Sequence, residues 1–157
     1  MNIKKQNITA ESGRYLGGLK TRPLVLVVDD DEDQCLLFRT LLQTKGLEVV
    51  SATSARVALE ILRSIHVDIV VCDVCMPEIN GRDFVEQVRK ARDLAKLPVI
   101  AFTAAGDLLR EELLESGADR FCSKSSPHQL VQQIAAVLAE RQHDHKLLEQ
   151  IQTRFSH

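Results

Sequence analysis

The sequence predicts an α/β protein, a doubly wound parallel sheet of five strands with five helices. Two observations predict it. Short apolar, β-branched runs recur along the chain, each with the length of a strand buried on both faces. Between them lie stretches whose apolar residues fall at helical spacing. Alternation of this kind places helices on both faces of a parallel sheet.

Leu24-Val25-Leu26-Val27-Val28 is the first run, and it stops abruptly at Asp29-Asp30. A helix follows, with Leu37, Phe38, Leu41 and Leu42 read as one face and Gly46 as its stop. Glu48 to Ala52 reads as the second strand, and the next helix carries Val57, Ala58, Ile61 and Leu62. Ile69 to Cys72 is the third strand. A turn with Pro77 and Gly81 leads from it to a helix with Phe84, Val85 and Val88. Strand Val99 to Phe102 leads through Gly106 to a helix with Leu109, Leu113 and Leu114. The fifth strand, Arg120 to Cys122, precedes a last helix from Pro127, proline being favoured at a first helical position.

The chain divides into three parts. Residues 1–22 carry three glycines and five basic residues against one acid, and read as a flexible basic tail. Residues 23–139 hold the repeating pattern, and residues 140–157 extend the last helix. A net charge of -2 gives no footprint for direct nucleic-acid binding. No apolar run approaches the ~18 residues of a membrane helix, and residues 1–23 lack the core of a signal peptide. Four scattered cysteines make no disulfide framework, which fits the reducing cytoplasm.

The reactive residues gather at strand ends. The first strand ends at Asp29 and Asp30, the third at Asp73, the fourth at Thr103, and the fifth just before Lys124. Open α/β sheets bind ligands beyond the carboxyl ends of their strands, where strand order reverses. With the order 2-1-3-4-5 found in flavodoxin-like folds, Asp29, Asp30 and Asp73 share one crevice, with Thr103 and Lys124 across it. Three carboxylates there repel one another. Mg²⁺, which prefers oxygen ligands, is the expected remedy. It also offsets charge on a phosphoryl group, and a lysine adds a second positive point. The threonine hydroxyl donates to a phosphoryl oxygen. With a carboxylate as nucleophile, the set is equipped to accept a phosphoryl group.

Val27-Val28-Asp29-Asp30, Asp73-Val74-Cys75-Met76-Pro77-Glu78-Ile79-Asn80-Gly81, Phe102-Thr103-Ala104 and Gly117-Ala118-Asp119-Arg120-Phe121-Cys122-Ser123-Lys124 resemble receiver domains of two-component response regulators. The resemblance covers about residues 23–139 and implies a role for each position. Asp73 is the phospho-acceptor. Asp30 binds Mg²⁺ directly, Asp29 binds it through water, and the backbone carbonyl of Cys75 is a further ligand. Thr103 and Lys124 contact the phosphoryl oxygens. Phe121, with Thr103, belongs to the switch and changes rotamer. A histidine kinase or a histidine phosphotransfer protein is the implied donor, and a downstream protein reads the altered surface.

The sequence departs from the family pattern twice. The family usually joins the lysine to a following proline by a cis bond, whereas Ser125 follows Lys124 here and Pro127 comes later. Arg120 replaces an acid used by the DNA-binding branch of the family to dimerise. With no room for an output domain, the expectation is a stand-alone receiver or one cut from a longer protein.

Three other readings compete with this one. Asp29-Asp30-Asp31 contains the D-x-D of haloacid-dehalogenase-type phosphatases, but Asp33 stands where they place Thr or Val. A phosphorylation-independent binding domain would not need all five site residues. Cys72-Asp73-Val74-Cys75 spells a C-x-x-C, but the loop is committed to Asp73. Beyond Glu140, the last helix continues a heptad-like stripe through Leu148, Ile151 and Phe155, from which a weak homodimer is expected.

Overall fold

The computed structural model describes residues 15–16, 19–20 and 22–155, with side-chain surroundings given from 22 to 144 apart from Gly106. Within the basic segment, Tyr15–Leu16 and Leu19–Lys20 form a short antiparallel pair, and the rest of residues 1–21 lies outside the described residues.

The central sheet has β1 (Leu24–Val28), β2 (Glu48–Ala52), β3 (Ile69–Cys72), β4 (Val99–Thr103) and β5 (Arg120–Ser123). The helices are α1 (Glu32–Gln43), α2 (Ala55–Ser64), α3 (Gly81–Lys90), α4 (Arg110–Glu115) and α5 (Pro127–Phe155). All strand pairs in this sheet are parallel, and the spatial order is β2-β1-β3-β4-β5, the flavodoxin-like 2-1-3-4-5.

The period of a strand sorts its side chains onto two faces. Leu24, Leu26 and Val28 of β1 face a layer built from α2, α3 and α4, where Ala58, Phe84, Val88 and Leu113 are buried. Val25 and Val27 face the opposite layer, built from Cys35, Phe38 and Leu42 of α1 and Leu130, Ile134 and Val137 of α5. There the ring of Phe38 meets Phe102 edge to face at a centroid distance of 4.6 Å. Helix starts are capped by side chains. Asp31 accepts from the Asp33 and Gln34 amides, Ser54 from Val57, and Asn80 from Asp83.

Three details differ from the sequence reading. Leu37, expected in the core, is 56% exposed beside Leu36 at 62%. The buried stripe of α1 is Cys35, Phe38 and Leu42, and one helical step of 100° carries Leu37 off it. The fourth helix is short and starts with a 3₁₀ turn, Gly106–Leu109, so Leu108 and Leu114 face outward while Leu113 alone of this group is buried. Finally, Arg141, the first residue beyond Glu140, is tied back to the sheet: its Nη1 donates to the Asp68 carbonyl at 2.9 Å, while residues 141–144 are exposed.

Candidate functional site

The site is built at the carboxyl edge from backbone outward. The Asp29 amide donates to Ala52 O at 3.0 Å, and the Asp73 amide to Val28 O at 2.8 Å. Each aspartate therefore prolongs the sheet ladder by one residue, which fixes where its side chain begins. Thr103 is the last residue of β4 and is fully buried, and its carbonyl accepts the Lys124 amide at 2.9 Å.

Side chains then close the ring. Lys124 Nζ donates to Asp29 Oδ2 and, at 2.9 Å, to Asp73 Oδ2. Asp29 Oδ1 accepts the Asp31 amide at 3.0 Å, and Asp73 Oδ1 accepts the Cys75 amide at 3.2 Å. Thr103 Oγ1 accepts the Ala105 amide at 3.2 Å and lies 3.7 Å from Cys75 Sγ. Asp29 and Asp73 are buried, whereas Asp30 is exposed at the mouth. Phe121 is half-buried against the α2–α3–α4 layer, outside the carboxylate ring.

One carboxylate oxygen from each of Asp29, Asp30 and Asp73 falls within a group spanning no more than 4.8 Å. Lys124, bonded to Asp29 and Asp73, contributes one positive charge against up to three negative ones. Burial pushes the Asp73 carboxyl above its ordinary value. Lys124 and the Cys75 amide pull it down, and the Asp29 charge adds to the rise. For Lys124, burial works against its charge, but bonding to Asp29 and Asp73 prevails and the ammonium titrates higher than usual. The all-oxygen, carboxylate-rich donor set fits a hard divalent cation such as Mg²⁺.

The loops explain how the chain holds this geometry. Among the described residues there is no cis peptide bond, so the link from Lys124 to Ser125 is trans. A serine turn follows the lysine: the Ser123 and Ser125 hydroxyls lie 2.8 Å apart, and the Ser126 amide donates to Ser123 O at 3.1 Å. In the sequence Gly81 reads only as a turn residue and motif member. A Cβ there would sit 2.6 Å from both Asp73 O and Val74 Cα, so glycine lets the start of α3 press against the acceptor's backbone. Glu78 in the same loop adopts φ 67°, and Ile79 N–H donates to Pro77 O at 2.9 Å.

The C-x-x-C pair is split by environment. Cys72 is buried, its thiol donates to Asp73 O at 3.1 Å, and burial raises its pKa strongly, whereas Cys75 is exposed. A thiol made harder to ionise is a poor redox nucleophile.

This fold and acidic crevice define a class of signalling domain that carries a phosphoryl-accepting aspartate. The family described as "Response regulator receiver domain" matches residues 25–135, and the chain belongs to that family. It is 35% identical over 125 residues to "Probable transcriptional regulator ycf27" of Galdieria sulphuraria, covering 78% of this chain and 48% of that protein. It is 32% identical over 103 residues to "Polar-differentiation response regulator DivK" of Brucella ovis, covering 64% of this chain and 82% of that one. The chain thus spans about half the length of the ycf27 relative and most of DivK. Among solved structures, it resembles the response regulator TrrA of Thermotoga maritima, crystallised in complex with Mg(2+)-BeF. The two share 28% identity and a TM-score of 0.68, covering 73% of this chain and 98% of that one. Family membership makes residues 25–135 a receiver module of the kind that serves as phosphoacceptor in two-component signalling. No described helix is long and apolar enough to cross a membrane.

Proposed function

We propose that Asp73 takes a phosphoryl group from the phosphohistidine of a histidine kinase or histidine phosphotransfer protein, and that the modified domain presents an altered surface to a downstream protein. The observation that carries this reading is Lys124 bridging Asp29 and Asp73 within a tight carboxylate group. A lysine so placed serves both as a counter-charge at rest and as a ready contact for phosphoryl oxygen.

In the transfer, an Asp73 carboxylate oxygen attacks phosphorus while the bond from phosphorus to the donor imidazole breaks, and the imidazole leaves with its electron pair. Lys124 exchanges a carboxylate partner for a phosphoryl oxygen. Thr103 supplies a hydroxyl donor from the end of β4, and its movement draws Phe121 into the switch. Asp30 directly, Asp29 through water, Asp73, and the Cys75 carbonyl would hold Mg²⁺. The metal would supply charge neutralisation for the transferring group. The TrrA complex supports that ligand chemistry by analogy. Support for a protein donor comes from Leu36 and Leu37, exposed on the helix that begins at the mouth of the site.

We assign residues 23–139 to the receiver proper, with Arg141 anchoring the first turn beyond it, and place the protein in the cytoplasm with no direct nucleic-acid role. The side chains of the stripe from Leu148 to Phe155 lie outside the described residues. Weak pairing through them predicts that the full chain sediments faster at high concentration than a version ending at Arg141. Equal monomeric sedimentation contradicts it.

The function itself is tested by intact mass after incubation with acetyl phosphate. One phosphoryl adduct is expected in Mg²⁺ and none in EDTA. No adduct in either, or equal adduct in both, defeats the reading.

A further inference from the structure

Thr103 Oγ1 is buried completely, and its lone pairs already receive the Ala105 amide at 3.2 Å. Its own O–H needs an acceptor, because a buried hydroxyl left unpaired is costly. Cys75 Sγ lies 3.7 Å away, within hydrogen-bonding reach for sulfur. The backbone that carries this thiol is itself pinned to the acceptor, since the Cys75 amide donates to Asp73 Oδ1 at 3.2 Å. Thiol, hydroxyl and acceptor carboxylate thus form one connected group, although residues 75 and 103 are 28 apart in sequence.

We infer that Cys75 is a positioning residue that holds the Thr103 hydroxyl in its resting orientation and must release it when Asp73 carries a phosphoryl group. The inference rests on the proposed phosphoryl chemistry and deepens it. In the resting state the sulfur satisfies the hydroxyl. In the modified state the same O–H turns to a phosphoryl oxygen, and the contact with sulfur is given up. The thiol therefore opposes the modified state by roughly the strength of one weak hydrogen bond. The other three cysteines are buried and lie elsewhere: Cys35 bonds the Asp29 carbonyl, Cys72 the Asp73 carbonyl, and Cys122 the Ser123 and Ser126 carbonyls. None of these bonds reaches the Thr103 hydroxyl.

The test is a double-mutant cycle read by beryllofluoride binding in Mg²⁺, with the Thr103 methyl resonance followed in the free protein. Cys75→Ala is expected to bind beryllofluoride about threefold more tightly than the wild type, the effect of one weak bond. Cys75→Ser, which keeps an acceptor, is expected to return to within about twofold of the wild type. With Thr103→Ala in place, adding Cys75→Ala is expected to change nothing, because the partner is gone. In the free protein, Cys75→Ala is expected to shift the Thr103 methyl resonance. An equal gain in both backgrounds would show that the thiol merely crowds the pocket and would overturn the inference. Unchanged affinity in Cys75→Ala would do the same. A wild type that binds no beryllofluoride, with the methyl shift still present, would instead overturn the reading of the site and this step with it.

Discussion

Aspartates stand at both edges of the sheet, and their surroundings differ. At the amino edge, Asp68 precedes β3 and Asp119 precedes β5. Asp68 Oδ2 accepts the Leu24 amide at 2.8 Å while its own amide donates to Leu24 O. Asp119 Oδ2 accepts the Val99 amide at 2.8 Å and Arg89 Nη2 at 2.7 Å, and its own amide donates to Val99 O. Each carboxylate there closes off the start of a neighbouring strand. Arg89 completes the arrangement by donating to Gly117 O and Leu97 O. At the carboxyl edge, Asp29, Asp30 and Asp73 converge on one another, and Lys124 bridges Asp29 and Asp73. The same residue type serves construction where its oxygens close a strand start and chemistry where several carboxylates gather and their charge is left in excess.

The largest effect that can break this contrast is covalent. Asp73→Asn is expected to abolish the phosphoryl adduct formed from acetyl phosphate, while Asp68→Asn and Asp119→Asn keep it in full, as read by intact mass. A full adduct on Asp73→Asn would erase the distinction between the edges.

Metal affinity sharpens the contrast within the carboxyl edge. Asp29 is already engaged by Lys124 and the Asp31 amide. Asp30→Asn is therefore expected to weaken Mg²⁺ binding more than Asp29→Asn does. A titration showing negligible and equal effects would remove the assigned ligands.

Stability should respond in the opposite sense. Asp68→Ala strands the buried Leu24 amide and is expected to cost about 1–3 kcal/mol in denaturant unfolding, with phosphorylation retained. Asp73 behaves differently in metal-free buffer. Its folded carboxyl titrates above the unfolded one, chiefly through burial, so the fold binds its proton more tightly. Its contribution to stability is present below the unfolded value of 3.8 and is lost as pH rises through the raised folded value. Asp73→Asn should flatten that part of the stability curve, whereas an unchanged curve would contradict the assigned burial.

Smaller changes are expected at the rim. Cys75 and Ala105 lie two residues after Asp73 and Thr103, and neither carries a carboxylate or amide to orient a hydrolytic water. Cys75→Asn and Ala105→Glu are expected to alter the lifetime of the aspartyl phosphate without preventing its formation. Lifetimes unchanged in both would refute this.

Much of this was legible in the chain itself, for a physical reason. Strands buried on both faces must be apolar throughout, so Leu24 to Val28 and Ile69 to Cys72 announce themselves, and the first polar residue after each marks the carboxyl edge. The five site residues could be placed because strand ends fix backbone positions. What depended on side-chain direction was hidden. The outward turn of Leu37, the steric need for Gly81 and the meeting of Cys75 with Thr103 arise from packing between elements, and no local pattern encodes them. The serine turn that follows Lys124 without proline is likewise visible only in three dimensions.

The most direct test of the central claim is chemical mapping of the modified residue. The protein is incubated with acetyl phosphate and Mg²⁺, then reduced with borohydride, which converts an aspartyl phosphate to homoserine, and the peptides are sequenced by mass spectrometry. Homoserine at position 73, abolished by EDTA, is the predicted result. Homoserine at 29 or 30, or none at all, would contradict the account.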